Sequence, residues 1–246
     1  MREVWSYLAL TEVAQRYRQT LLGPLWNSAY LLGQAIALSV VFGAVFKSPL
    51  ANILPYILAG MTAWMVGPAS IIDSSGLLLS ASGIIRNQNM PYLIHAFRAA
   101  MRNLILFLHN VLAFILIMPF FHHMPIINPI VVVTAILVAM CCAPFGFLLG
   151  MLCARFRDFV QLVQNFSPII FFVTPVFWVT DTVSGPRRAI FAYNPFYYLI
   201  NMIRKPLLGG WPDPIDWTVL AITFVAGWSF CLLMLNWLRP RIPYWV

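Results

Sequence analysis

Side chains able to bear charge, ligate a metal or attack a substrate are scarce in this chain of 246 residues, which holds seven acids and four histidines. Asp73 stands in an otherwise apolar stretch, with Ser70, Ser74, Ser80 and Ser82 around it. A carboxylate within a bilayer costs roughly 2.5–3.5 kcal/mol on insertion scales, so it should face water or a partner group. On a helix, Ser70, Asp73, Ser74 and Ser80 fall roughly along one side, a polar strip fit to line a hydrated path. The alternative is a helix that ends near Ile72 and leaves Asp73 among headgroups. His95 and His109 lie far from any serine or cysteine pattern that would make a nucleophile and base. His122-His123 lacks the further ligands that a metal site needs. Cys141, Cys142, Cys153 and Cys231 fall in or beside apolar runs and read as small packing residues. There is no GxxxxGK[ST] sequence, so the chain carries no P-loop for nucleotide.

The elements that must position these residues follow from composition. The chain is 61% hydrophobic and 9% charged, with a mean hydropathy of +0.84. So few charges cannot cover a water-facing surface, which excludes a soluble domain and identifies an integral membrane protein. Between ionisable residues (histidine aside) lie charge-free windows at 19–46, 48–72, 103–154, 159–180 and 217–238. A spanning helix needs roughly 20 apolar residues. The window 103–154 is long enough for two, broken at His122-His123-Met124-Pro125. The windows are continuous rather than alternating, which favours helices over a barrel. The expected fold is an all-α membrane protein, a single domain over 1–246. Its six transmembrane helices fall near 25–46, 55–80, 102–121, 127–151, 162–180 and 217–238.

Six spans put both termini on one side. That side holds Arg2, Arg16, Arg18, Arg86, Arg98, Arg102, Arg155, Arg157, Arg239 and Arg241. Lys47, Arg187, Arg188, Arg204 and Lys205 are left for the other, four of them within the long connection 181–216. The bias predicts cytoplasmic termini. The net charge of +8 then reflects topology and attraction to anionic lipid. No basic cluster has the stacking aromatics that would point to nucleic acid.

Three segments outside the spans stand out. Residues 1–22 project as an imperfect amphipathic helix, with Tyr7, Leu10, Ala14 and Tyr17 on one stripe and Glu12, Gln15, Arg16 and Gln19 opposite. Such a helix suits the headgroup region. Residues 86–102 form the sizeable cytoplasmic connection, polar yet short. Residues 181–216 are too apolar for a solvated loop. Ala189–Tyr193 and Phe196–Ile203, separated by Asn194-Pro195, predict two short helices dipping into the outer leaflet.

The sequence Arg16-Tyr17-Arg18-Gln19-Thr20-Leu21-Leu22-Gly23-Pro24-Leu25-Trp26 resembles the signature that opens permease subunits of ABC-2 type polysaccharide exporters, which include O-antigen, capsule and teichoic-acid transporters. Further likenesses follow in the family's order: Ile84-Ile85-Arg86 with Met90-Pro91, Arg157-Asp158-Phe159, Thr174-Pro175-Val176-Phe177-Trp178, then Asn194-Pro195 with Arg204 and Leu207-Leu208-Gly209. The resemblance covers nearly the whole chain. One departure is Tyr92-Leu93-Ile94-His95-Ala96, where family members often carry a second proline.

The resemblance implies a homodimer working with two copies of a separate ABC ATP-binding subunit, with no cofactor in this chain because the partner binds ATP. It implies residence in a bacterial inner membrane and export of a lipid-linked polysaccharide. The coupling segment would dock on the ATPase through Arg86, Asn87, Asn89, Pro91, Tyr92 and His95, bordered by Arg16, Arg18, Arg155, Arg157 and Asp158. The second and fifth spans line the pathway in the family. They would supply Tyr56, Trp64, Ser70, Asp73, Ser74, Phe171, Phe172, Phe177 and Trp178, whose aromatic rings can pack on the C–H faces of sugars. Tyr193, Asn194, Pro195, Phe196, Tyr197 and Tyr198 would form an outer gate. Interfacial belts of Trp and Tyr are a competing explanation for the aromatics. Rival functions are an ABC-2 exporter of small drugs or lipids, or a membrane-embedded glycosyl or acyl transferase. The transferase would need a cluster of catalytic residues that the sequence does not show.

Overall fold

The computed structural model describes residues 2–88, 90–121, 127–178 and 189–246, and every regular element among them is helical. In chain order these are α1 (Arg2–Tyr17), α2 (Leu25–Phe46), α3 (Leu50–Val66), α4 (Pro68–Asp73), α5 (Leu77–Ser80), α6 (Ser82–Asn87), α7 (Leu93–Ile117), α8 (Ile130–Arg155), α9 (Asp158–Val173), α10 (Ala189–Ala192), α11 (Pro195–Leu207), α12 (Pro214–Leu238) and α13 (Ile242–Trp245). Short 3-10 turns cover Ser74–Gly76 and Met118–Phe121.

Five segments are long and apolar enough to cross a bilayer: Leu25–Val45, Leu50–Ser80, Leu93–Phe121, Ile130–Arg155 and Pro214–Leu238. The chain is therefore a multi-pass membrane protein. The expected fifth span, 162–180, is represented by α9, a shorter apolar helix of 16 residues. It stops where Thr174 turns extended ahead of Pro175, as a residue before proline tends to do.

The other boundaries have local causes. Gly23 at φ +57° turns the chain between α1 and α2, and Lys47 at φ +51° ends α2 in the left-handed region. The second apolar segment is not one rod. Pro68 opens α4 immediately after Gly67, and the 3-10 turn at Ser74–Gly76 interrupts it again. The third span begins nine residues earlier than the sequence predicts, at Leu93 rather than 102. The connection before it is therefore far shorter than 86–102, and His95 and Arg98 lie buried within α7.

The bundle is organised on α8, which packs against α7, α12, α4 and α11. Gly146 and Gly150 let α8 approach the broken segment closely. A Cβ added at Gly146 would lie 2.7 Å from Ser74 Oγ, and one at Gly150 3.0 Å from the Ser74 carbonyl. Between apolar helices in lipid, such close packing and side-chain hydrogen bonds replace the hydrophobic effect as the cohesive force. One network joins α2, α3 and α7: Ser28 Oγ donates to Asn110 Oδ1 at 2.8 Å, and Asn110 Nδ2 reaches Met65 Sδ at 3.4 Å. By contrast, α12 touches the bundle along a thin line, burying Asp216, Leu220, Gly227 and Cys231. None of the residues of α9 is buried, and Phe166, Ile169 and Phe172 stand exposed on it.

Candidate functional site

The densest polar construction joins the end of α9 to α11 and α3. Arg204 is buried in α11. Its Nη1 donates to the Tyr56 hydroxyl at 2.6 Å, and its Nη2 donates to the carbonyls of Pro175 at 2.6 Å and Val176 at 2.9 Å. The guanidinium lies 4.4 Å from the centre of the Tyr56 ring. Asn194 caps α11 by accepting from the Phe196 N–H at 3.0 Å, and its amide donates to Thr174 Oγ1 at 3.1 Å. Tyr56 Oη also donates to the Trp178 carbonyl at 3.4 Å. The non-helical stretch Thr174–Trp178 is thus held by side chains from two other helices, as backbone without helical hydrogen bonds requires where water is scarce. Gly60 makes room for it, since a Cβ there would collide with the Val176 carbonyl and the Arg204 guanidinium.

Aromatic rings continue from this clamp. Phe177 packs on Phe42 at 4.6 Å and on Phe171 at 5.6 Å, and Phe171 meets Trp64 edge-on at 5.2 Å. Phe172 lies 5.3 Å from Phe177 with its outer face exposed. A second row runs from Trp178 through Phe191 to Tyr197 and Tyr198. The Tyr198 hydroxyl donates to the Ala192 carbonyl at 2.8 Å, whereas Tyr193 is 87% exposed and Pro195 sits exposed at the first turn of α11. Most of the aromatics that sequence singled out therefore converge on one region.

The polar strip does not form. Ser70 and Ser74 are buried, with hydroxyls donating to the Gly67 and Ser70 carbonyls at 2.6 and 2.7 Å. Asp73 and Ser80 are exposed. The turn at Ser74–Gly76 also interrupts the helix between Ser74 and Ser80.

At the end of the bundle holding α1 and α13, a polar groove of about 360 Å³ is lined by Ile85, Arg86, Asn87, Gln88, Met90, Tyr92 and Pro243. Arg86 donates to the Val246 carbonyl, and Asn87 Nδ2 donates to the Gly83 carbonyl at 2.9 Å. Pro91, Arg155, Arg157, Asp158, Arg16 and Arg18 are exposed, and Tyr92 is half-buried. His95 is 1% exposed, which removes it from any docking surface: the early start of α7 carries it inside. Asn89 and 179–188, with Arg187 and Arg188, lie outside the described residues, as does His122-His123.

Two functional-looking groups leave little mark in the sequence pattern. Arg204 stands within a family motif, and an arginine inside an apolar helical run is itself the signal. Glu12, assigned to a solvent face of α1, instead pairs with Arg102 at 2.7 Å and Arg98 at 3.4 Å. The packed face of α1 is Ala9 and Val13, while Tyr7 and Leu10 of the predicted stripe point outward, 67% and 54% exposed.

Lys205, beside Arg204, ties α11 to the start of α12. Its Nζ lies 2.6 Å from Asp216 and 2.7 Å from Asp213, which together form a capping box on α12. Burial pushes the Lys205 pKa down, but the two carboxylates outweigh it and hold the group above its ordinary 10.5. A group raised on folding stabilises fully below its ordinary value and ceases to do so as pH climbs through the folded one. The thermal midpoint of the purified chain should therefore fall as pH rises above roughly 10.5, and K205M should lack that alkaline component.

Residues 3–208 match the ABC-2 type transporter family, and the chain belongs to that family. It is thus a transport permease subunit rather than an enzyme. Among curated relatives, an O-antigen export system permease protein RfbA of Klebsiella pneumoniae is 21% identical over 86% of this chain and 82% of its own length. A second of the same name and organism is 20% identical over 89% of this chain and 84% of its own length. A Myxococcus xanthus protein of the same name is 20% identical over 82% of this chain and 81% of its own.

Proposed function

We propose that this chain is the transmembrane subunit of an ATP-driven exporter that moves a lipid-linked polysaccharide of O-antigen type out of the cytoplasm across an inner membrane. The observation that carries this reading is the likeness to three O-antigen export permeases over 82–89% of the chain. Two copies would work with two ATP-binding subunits, which supply the nucleotide site that this sequence lacks. The exposed apolar face of α9 favours a second copy as its cover. As sixth crossing, α9 contributes about 24 Å of helix, and the clamped stretch Thr174–Trp178 completes the passage, leaving both termini cytoplasmic. The groove at Ile85–Tyr92 docks the ATPase, while α10 and α11 close the outer mouth. The aromatic rows beside the clamp offer faces on which sugar rings pack.

Deleting the gene should abolish surface polysaccharide and leave lipid-linked glycan accumulating inside; normal surface glycan would reject the proposal, and loss of efflux of a small molecule alone would favour a drug or lipid exporter. For the docking groove, R86A/Y92A is expected to reduce co-purification of the ATPase at least about tenfold, equivalent to some 1.4 kcal/mol. Unchanged binding and ATP turnover would place the dock elsewhere.

A further inference from the structure

Between α8 and α12 runs a cavity of about 760 Å³ that the export reading does not use. Phe145, Leu149 and Leu152 of α8 face Phe230 and Met234 of α12 across it, and Phe196 of α11 lines its far end. Its near end, beside α13, is different in character. Arg155, Arg241, Trp237 and Trp245 meet there. The Arg155 guanidinium lies 5.5 Å from the Trp245 ring and 5.6 Å from that of Phe156. Arg241 lies 5.6 Å from the Trp237 ring. Aromatic faces hold both cations in place while their N–H groups stay accessible. Both arginines are exposed, and neither enters any ion pair among the described residues.

An apolar trough with two unneutralised cations at one end has the polarity of a single lipid molecule. Its length agrees. Along α8 it extends from Cys142 to Phe156, about 21 Å at 1.5 Å per residue. One leaflet's hydrocarbon is about 15 Å deep. The trough therefore accepts one acyl chain of one leaflet and is closed by Phe196 beyond it, too short for an extended long-chain polyprenyl group. Arginine, with its planar fork of donors, suits a phosphodiester.

We infer that this trough binds one anionic glycerophospholipid, its phosphate between Arg155 and Arg241 and an acyl chain along Leu149 and Phe230. The occupant seals α12 to α8 on a side where the helices do not touch. The site needs only a bilayer and stands whether or not the exported substrate is a polysaccharide. Arg155, which the family resemblance places at the ATPase, here serves the lipid.

Native mass spectrometry of the purified full chain, titrated with phosphatidylglycerol or phosphatidylcholine of equal chain length, tests this. Juxtamembrane arginines contribute roughly fivefold each toward anionic lipid, so phosphatidylglycerol should bind about 30-fold more tightly. R155Q/R241Q alters two exposed side chains, and should erase the preference while keeping the thermal midpoint. L152W, which fills the trough, should weaken both lipids and leave the arginines in place. Equal affinity for the two lipids, or a preference surviving in R155Q/R241Q, would overturn the inference. So would displacement of phosphatidylglycerol by an equimolar polyprenyl phosphate, which would make the trough a substrate site. Displacement by inorganic phosphate alone would reduce the site to a simple anion pocket and likewise overturn it.

Discussion

Arg204→Met is expected to produce the largest loss of stability of any single substitution around α11, about 3–5 kcal/mol, as when a buried charged network loses a member. The guanidinium satisfies the Pro175 and Val176 carbonyls and the Tyr56 hydroxyl together. Hydrogen bonds to a charged group contribute about 1.5–3 kcal/mol each, and a desolvated cation–π contact about 2 kcal/mol, with orphaned carbonyls costing more in a medium without water. R204K should recover only part of the loss, since an ammonium lacks the fork that reaches both carbonyls and the hydroxyl. Y56F should cost less than either, because the ring remains beneath the cation. Thermal unfolding of the purified chain in detergent ranks the three. An R204M midpoint equal to wild type would mean that the clamp carries no stability, and with it would go the role proposed for Thr174–Trp178.

Glu12→Gln should release α1. Glu12 lies 32% exposed, while Arg98 and Arg102 are 11% and 16% exposed, so the pair is far from a solvated surface bridge. Losing the carboxylate removes a charge-assisted bond of about 1.5–3 kcal/mol and leaves two nearby arginines to repel one another. Amide hydrogen exchange across 2–17 should quicken about 10- to 100-fold, with α8 unchanged as internal control. E12R/R102E reverses the pairing and should restore slow exchange. If E12Q exchanges like wild type, packing of Ala9 and Val13 alone anchors the helix. In the export reading, freeing α1 also uncouples ATP turnover from transport.

These two residues show where the sequence was legible and where it was not. Long charge-free windows located the apolar segments well, because a bilayer forbids unpaired charge over a fixed length. The same rule misplaced the start of α7. Arg98 and Arg102 read as loop charges in the sequence, yet Glu12, some 90 residues earlier, neutralises them inside the bundle. Arg204 escaped for a related reason: its acceptors are carbonyls 28 and 29 residues upstream, and carbonyls leave no mark in side-chain periodicity. The serines and Asp73 do not share one exposed line: Ser70 and Ser74 are buried, Asp73 and Ser80 are exposed, and the turn at Ser74–Gly76 interrupts the helix before Ser80. The aromatic residues fared better. Phe171, Phe177 and Trp64 meet through their rings at the end of α9, although α9 itself packs on α4 and α8.

The thin line along which α12 touches the bundle has a consequence for how the sequence can drift. Asp216, Leu220, Gly227 and Cys231 are spaced four, seven and four apart, close to a straight helix's own repeat, so they form one narrow seam. At Gly227 even a methyl group would sit 2.6 Å from the Phe145 ring. Positions such as Ile222, Val225 and Leu233 lie off that seam and exposed. A hydrocarbon solvent distinguishes poorly among apolar side chains, so those positions are free to exchange Ile, Val, Leu and Phe over generations. The seam admits only small or specifically paired residues. Homologues of this chain should therefore diverge on most of the circumference of α12 while holding a single stripe nearly fixed.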